Sequence, residues 1–434
     1  MVEITMGGAN APICHGAGRR HLTVSDYVRR VEYVDCRGVV QTVSHPRQLK
    51  VAAGAFGLLG VVTHLTFELD AMTYAVMEPR KVDIGLAISI PPLRKEDIPP
   101  VLRAEWYSKQ DAEVQMESAR QEFVRRARDD YYSEWFWFTY QQKAWVNTWN
   151  PVSVAEAAVQ YPSDVEIFLQ WLEGWVGGSL MTSYSILFNL IPGYWQAQLL
   201  ATTGMAALPP TFREDDTPTI KTQLPNALHF RRGIQNMRVR DLEFQIPIPG
   251  LPSDPSQPDF SVIQRAWWDA INLVYAPEYT ASVFTTSPMR LTLELRIMGG
   301  SDMVLAPQRG NTHGTASIEV LTVPDAAADN EWAGFAQKIA DKWMALQDGN
   351  GTALNVRPHW AKEWDGLTMG PEVKGLERLD ARKFLKDVVY RDAIPEFVDI
   401  LREIGQVQGW GLEEVKQRFS NELWDELVFA ETAK

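Results

Sequence analysis

The sequence predicts an α+β fold, and three observations carry that expectation. Short β-branched runs and amphipathic helical segments mix along the whole chain. Residues 290–297 alternate strictly between polar and apolar. Residues 51–70 place Gly54, Gly57 and Gly60 at intervals of three, ahead of a β-branched and almost uncharged run. With 434 residues, 45% hydrophobic and 22% charged, the chain has the balance of a globular protein of two or three domains.

The elements follow in order. Val31–Asp35 and Val39–Val43 read as strands around a Cys36-Arg37-Gly38 turn, and Gln48–Ala53 as a short helix. The glycine turn then delivers what reads as a buried strand from Val61. Val82–Ile90 is expected as a strand closed by Pro91-Pro92, Asp97–Arg128 as a charged helix, and the aromatic run Tyr131–Trp149 as a strand. Asp164–Gly204 reads as helical. Leu208–Pro225 and Pro252–Pro258 read as loops, Val239–Ile248, Arg290–Ile297 and Thr315–Thr322 as strands. Phe260–Val274, Asn330–Gln347 and Ile394–Ile404 have helical spacing, with Gly405 as a stop.

Bulk properties exclude several function classes. A net charge of −13 argues against a general nucleic-acid surface. Two cysteines, Cys14 and Cys36, rule out a disulfide framework, and the seven histidines lack zinc-ligand spacing, so no metal is expected. The opening residues have neither the basic nor the apolar region of a signal peptide. That leaves the compartment open between cytoplasmic and membrane-associated. Gly174–Phe212 carries no charge. Its glycines, Pro192, Asn189 and Gln196 favour buried helices of a large domain over a membrane contact.

Three constellations could carry chemistry. Glu294 and Arg296 share one face of the alternating strand, where a carboxylate and a guanidinium can bind hydroxyls and stabilise a developing anion. The bland reading is a solvated strand face. Arg357-Pro358-His359-Trp360-Ala361-Lys362 packs three donors and a large ring into six positions. Lys362 is either a base with a depressed pKa or a surface lysine beside a core-plugging Trp360. In the turn Cys14-His15-Gly16-Ala17-Gly18, His15 could touch a cofactor or serve as a structural hydrogen-bonder. A catalytic Cys14–His15 pair is disfavoured, because nothing orients it.

Together and in order, these segments resemble FAD-linked oxidases of the vanillyl-alcohol oxidase superfamily, in the aldonolactone and alditol oxidase branch, fungal D-arabinono-1,4-lactone oxidase type. Cys14-His15-Gly16 is similar to that family's glycine–histidine–glycine turn beside the flavin. Gly57-Leu58-Leu59-Gly60-Val61-Val62-Thr63 is similar to its G-x-x-G-V-V-T turn. Glu294-Leu295-Arg296 with Ser301–Pro307 resembles its E-I-R…D-D-x-x-L-S-P stretch, although Ser301 replaces the first Asp. Asp241-Leu242-Glu243-Phe244 with Pro247 is similar to a family strand, and Arg357–Lys362 to its R-P-H-W-x-K motif.

The resemblance implies an incomplete PCMH-type FAD-binding domain over residues 1–75 and a substrate (cap) domain with a large antiparallel sheet flanked by helices over 76–350. A C-terminal segment, 351–434, is expected to return to the flavin domain. It implies oxidation of a CH–OH group of a sugar lactone, polyol or related alcohol, with O2 as acceptor. FAD would contact Cys14, His15, Gly16, Gly57, Gly60, Val61 and Val62. The family's glycine-rich loop, with its covalent histidine, has no counterpart before Met1, so non-covalent FAD is expected. Arg296 would stabilise anionic charge, Lys362 would act at the reacting hydroxyl as base or donor, and Glu294 would orient hydroxyls or hold Arg296. The competing expectation is a truncated, non-catalytic relative that acts as a binding protein.

Overall fold

The computed structural model describes residues 5–16, 18–89, 97–103, 105–182, 188–210, 219–227, 238–324, 326–370 and 378–430. Its centre is a nine-stranded antiparallel sheet, flanked by helices. The strands are β4 (Tyr74–Met77), β5 (Arg80–Asp83), β6 (Tyr132–Phe138), β7 (Lys143–Val152), β8 (Ile220–Gln223), β9 (Arg240–Pro247), β12 (Thr292–Met298), β13 (Thr315–Thr322) and β14 (Arg357–Pro358). Their order is β14-β9-β13-β12-β6-β7-β4-β8, and β5 also pairs with β7. The intervening β10 (Gly250–Leu251) and β11 (Asp254–Pro258) form a separate small hairpin.

Period-two alternation sorts the side chains of the central strands onto two faces. One face carries Trp135, Trp137, Leu242, Phe244, Leu293, Leu295, Ile318 and Val320, each 1% exposed or less. It packs on two helices, Ser261–Val274 and Asp329–Met344, where Phe244 meets Trp343 edge-on with centroids 5.9 Å apart. Fully burying each such side chain contributes about 1.5–3 kcal/mol. The other face carries charged and polar groups and turns toward the N-terminal segment.

That segment holds a three-stranded sheet, β2-β1-β3, of β1 (Val28–Val34), β2 (Val40–Val43) and β3 (Val61–Phe67). The helix Pro46–Ala52 precedes the glycine turn. The last long helix, Ala393–Gln408, packs against it. A single apolar cluster runs from Ile13 to Val428, so the C-terminal residues share a core with both sheets.

Several expectations are corrected here. The strand after the glycine turn is not buried: β3 is an edge strand, no residue of it is buried, and Val61 is 60% exposed. Tyr131–Trp149 is a hairpin, because Tyr140 at φ 68° reverses the chain between β6 and β7. Over Val82–Ala87 the strand stops at Asp83, whose side chain caps a helical turn, Ile84–Ala87; Ile90 to Pro92 lies outside the described residues. The charged helix begins only at Ala112. Gly405 does not end its helix. Trp410 packs on its bare Cα, and the stop is Gly409 at φ +81°. Ile220–Gln223 and Asp254–Pro258 are strands rather than loop, whereas 211–218 lies outside the described residues.

The uncharged stretch also departs from expectation. The helices that run through it, Asp164–Thr182 and Gly193–Ala207, are not wholly buried: Trp175 and Trp195 are 59% and 56% exposed, and Leu190 between the helices is 76% exposed. No helix among the described residues is long and apolar enough to cross a membrane.

Candidate functional site

Strand register assembles the polar face. Glu294 on β12 pairs with Glu319 on β13, and Glu319 pairs with Glu243 on β9. One row away, Arg296 sits between Glu134 on β6 and Ser317 on β13, and Asn147 on β7 lies beyond Glu134. Four carboxylates from four strands thus lie on one buried face, at 0–6% exposure.

Arg296 organises one half. Its Nη2 donates to Glu294 Oε2 at 2.7 Å, its Nη1 to Glu319 Oε1 at 3.1 Å, and its Nε lies 3.5 Å from Glu134 Oε2. The guanidinium stacks over Phe136 at 5.2 Å. Tyr132 Oη and Asn147 Nδ2 donate to Glu134, and Thr292 Oγ1 donates to Glu294. Burial opposes the charge of Arg296, but Glu294, Tyr132, Glu319 and Glu134 hold its pKa well above the ordinary value. The solvated-face reading of this strand is therefore wrong.

Lys362 organises the other half. Its Nζ donates to Asp241 Oδ2 at 2.5 Å and Glu319 Oε2 at 2.8 Å, and lies 3.5 Å from Glu243 Oε2. Burial would lower its pKa; Glu319, Glu243 and Asp241 raise it well above the lysine range. Of the readings left open for Lys362, the base with a depressed pKa does not hold: its neighbours are carboxylates, so it is an ammonium donor. The motif around it is held firmly. Arg357 Nη1 donates to the carbonyls of Ala306, Pro307 and Arg309, and Trp360 Nε1 to that of Leu305 at 2.7 Å. Trp360 does plug an aromatic cluster, with Phe56, Trp364, Tyr390 and Trp424.

Among its carboxylates the cluster has an excess of negative charge, and one of them takes up the strain. Burial raises the Glu294 carboxyl, Arg296 opposes that rise and Glu319 adds to it, which leaves it at about 7. Glu319 is held low: burial would raise it, but Lys362 and Arg296 outweigh that. Burial likewise pushes Glu243 up, while His359, His15 and Lys362 and the hydroxyl of Ser317 hold it low.

The histidines reach this cluster from opposite sides. His15 Nε2 lies 3.5 Å from Glu243 Oε1, and its ring stands edge-on to His359 with centroids 5.7 Å apart. His359 is 2% exposed, and burial lowers its pKa to about 4. Its Nδ1 accepts from the Ala361 N–H at 3.1 Å, so the neutral ring carries its proton on Nε2. Among the described residues that Nε2 has no hydrogen-bond partner, and Glu243 Oε2 has none either, only the Lys362 ammonium at 3.5 Å. Burial, with Glu243 nearby, raises the Cys14 thiol to about 11, so it is no nucleophile at neutral pH.

The structure therefore brings together Glu294, Arg296, Lys362, Cys14 and His15, with Gly16 adjoining. It does not bring Gly57, Gly60, Val61 and Val62 to the same cluster. Their hydrogen bonds run within the turn and along β1. The turn acts instead as a buttress: the position of a Cβ on Gly54 lies 2.4 Å from Ile13 Cγ1, and the Phe56 N–H reaches the Ala11 carbonyl. Gly57, at φ +86°, is exposed and has open space where a Cβ would stand. Ala17 lies outside the described residues. Sequence reasoning missed Glu134, Tyr132, Asn147, Glu319 and Gln245, whose Nε2 donates to Ser317 Oγ at 2.8 Å. Their signal is a lone polar group at alternating positions within otherwise apolar strands.

A flavin fits these residues in part. A buried neutral donor on His359 Nε2 and a buried acceptor on Glu243 Oε2 suit the mixed donor and acceptor edge of a flavin ring, and Gly57 leaves backbone open to approach.

Comparison with protein-family models finds no match, and no curated protein matches the sequence. Solved structures do match in fold. The cholesterol oxidase of Brevibacterium sterolicum aligns with a TM-score of 0.61 and 15% identity, over 97% of this chain and 74% of that one. A solvent-stable cholesterol oxidase aligns with a TM-score of 0.59 and 13% identity, over 97% and 75%. At such low identity the likeness is one of architecture: this chain has the fold of those oxidases.

Proposed function

We propose that the chain is a FAD-dependent oxidoreductase that oxidises a CH–OH group of a sugar lactone, polyol or related alcohol, with O2 as electron acceptor. One observation supports this above the others. In a fold shared with a cholesterol oxidase, a buried guanidinium and a buried ammonium share Glu319, beside a carboxyl poised at about 7.

FAD, when bound, supplies the acceptor for the hydride leaving the alcohol carbon. His15, Gly16, His359 and Gly57 are the residues that would hold it, with Cys14, Gly60, Val61 and Val62 alongside. Arg296 is a permanent cation, so it stabilises an alkoxide-like oxygen without itself moving a proton. Lys362 donates hydrogen bonds to substrate oxygens and balances Glu243 and Glu319. Glu294, near its midpoint at neutral pH, accepts the hydroxyl proton at Oε1 or Oε2. Phe136, stacked over the Arg296 guanidinium, screens it from water.

A non-catalytic binding protein is the second reading, favoured by the exposure of β3, which leaves the cradle open on one side. The absorbance spectrum of the purified chain separates the two. Flavin bands, bleached by an aldonolactone or alditol under nitrogen and restored by air, are expected. A folded, colourless protein that takes up no added FAD would overturn the oxidase reading.

A further inference from the structure

A second polar site lies at the far end of the same sheet face. Arg290 precedes β12 and is 5% exposed. Four residues separate it from Glu294, about 13 Å at roughly 3.3 Å per residue. Among the described residues no carboxylate pairs with it. Its Nε donates to Gln196 Oε1 at 3.2 Å and its Nη2 to the Ala326 carbonyl at 3.4 Å, but among the described residues its Nη1 has no hydrogen-bond partner. A buried arginine is ordinarily paired, because an unpaired guanidinium keeps its full desolvation cost.

The surroundings make the omission sharper. The guanidinium lies against the N-terminus of the 15-residue helix Gly193–Ala207, the positive end of its dipole. The Cβ position of Gly193 is 2.4 Å from Arg290 Nη2 and 2.3 Å from Thr286 Oγ1, so only glycine lets these groups converge. The N–H groups of Gly193 and Tyr194 have no acceptor within the helix. Among the described residues Thr286 Oγ1 is buried without a hydrogen-bond partner. Burial lowers the pKa of Arg290 from its ordinary value. The guanidinium and the Thr286 hydroxyl thus meet at the first residue of the helix, and the loop preceding Thr286 is exposed from Ala281 to Thr285.

We infer that Arg290 Nη1, the Thr286 hydroxyl and the first-turn N–H groups of Gly193 and Tyr194 form a binding site for an oxyanion, a carboxylate or phosphate group carried by a small ligand. The site is separate from the Glu294–Arg296–Lys362 cluster and does not depend on the oxidase reading. A single oxyanion supplies acceptors to the guanidinium and hydroxyl together and neutralises the opposed positive poles.

The test is thermal melting of the purified full chain in millimolar sodium acetate or inorganic phosphate, with sodium chloride holding ionic strength constant. A saturable rise in melting temperature with either anion, above the chloride control, is expected. Acetate and phosphate arms tell the carboxylate from the phosphate form. In Arg290→Met, and in Thr286→Val should the first variant not fold, half-saturation should move at least tenfold higher. A melting temperature indifferent to both anions, or an unchanged response in the variants, overturns the site.

Discussion

Glu319 joins Lys362 to Arg296: one carboxylate oxygen accepts from the ammonium at 2.8 Å and the other from the guanidinium at 3.1 Å. The two cations of the site are therefore held by one side chain, on the strand between those that carry Arg296 and Glu243. Neither can move without exposing the buried charge of the other.

Removing Arg296 should cost both stability and function. Arg296→Ala leaves Glu294, Glu319 and Glu134 facing one another in a buried layer, a loss of about 3–5 kcal/mol. Urea unfolding should show it, and flavin-dependent turnover should fall by a factor on the order of 100 or more. A variant with full turnover would refute the assigned role.

Lys362 should be replaceable by arginine in part, but not by methionine. Its three carboxylate neighbours keep it charged, so it works as a donor. Lys362→Arg is expected to retain a measurable fraction of kcat, and Lys362→Met to lose about 100-fold. Equal loss in both, with rate following the titration of a lysine, would restore the base reading.

Glu294 should give the protein a pH-dependent stability near neutrality. Its folded pKa, about 7, lies above the unfolded value near 4.3. Between those values the folded state binds the extra proton, so this group's contribution is full at low pH and is lost as pH rises toward 7. Melting temperature in wild type should fall across that window relative to Glu294→Gln, whose profile is expected to be flatter. Should the two profiles run parallel, Glu294 does not titrate there. Turnover should rise through the same window and lose that limb in the variant.

The two glycines of the turn should behave oppositely. At Gly60, φ is +141° and a Cβ would stand 2.3 Å from the Val34 carbonyl, so Gly60→Ala should destabilise by about 2 kcal/mol or more. At Gly57 the space is open, so Gly57→Ala should cost about 1 kcal/mol, from its positive φ alone. If the turn touches FAD, Gly57→Ala should also weaken FAD affinity, measured by fluorescence titration, beyond what its stability loss explains.

What was legible in the sequence was local. The alternation in 290–297 put Glu294 and Arg296 on one face, and the spacing of 260–274 and 330–347 marked the helices beneath, because both patterns repeat within a few residues. The register of β12 against β6 and β13 was not legible. Glu134 lies 162 residues before Arg296 and Glu319 lies 23 after it, and single acids in strands carry no sign of their partners. Exposure misled for a related reason. Val61–Phe67 and Phe168–Trp175 have core compositions, but whether an apolar strand or helix is covered depends on what packs against it.

The sequence by itself determined which residues could alternate, turn or cap: the strand bearing Glu294 and Arg296, the turns at Gly57 and Gly60, the order of the chemical motifs. Only the tertiary structure decided their electrostatics. It turned Lys362 from a candidate base into a fixed cation and Glu294 into the group that titrates near neutrality. The reason is that a pKa is set by burial and by charges within a few ångströms, and those neighbours come from strands far apart in the chain.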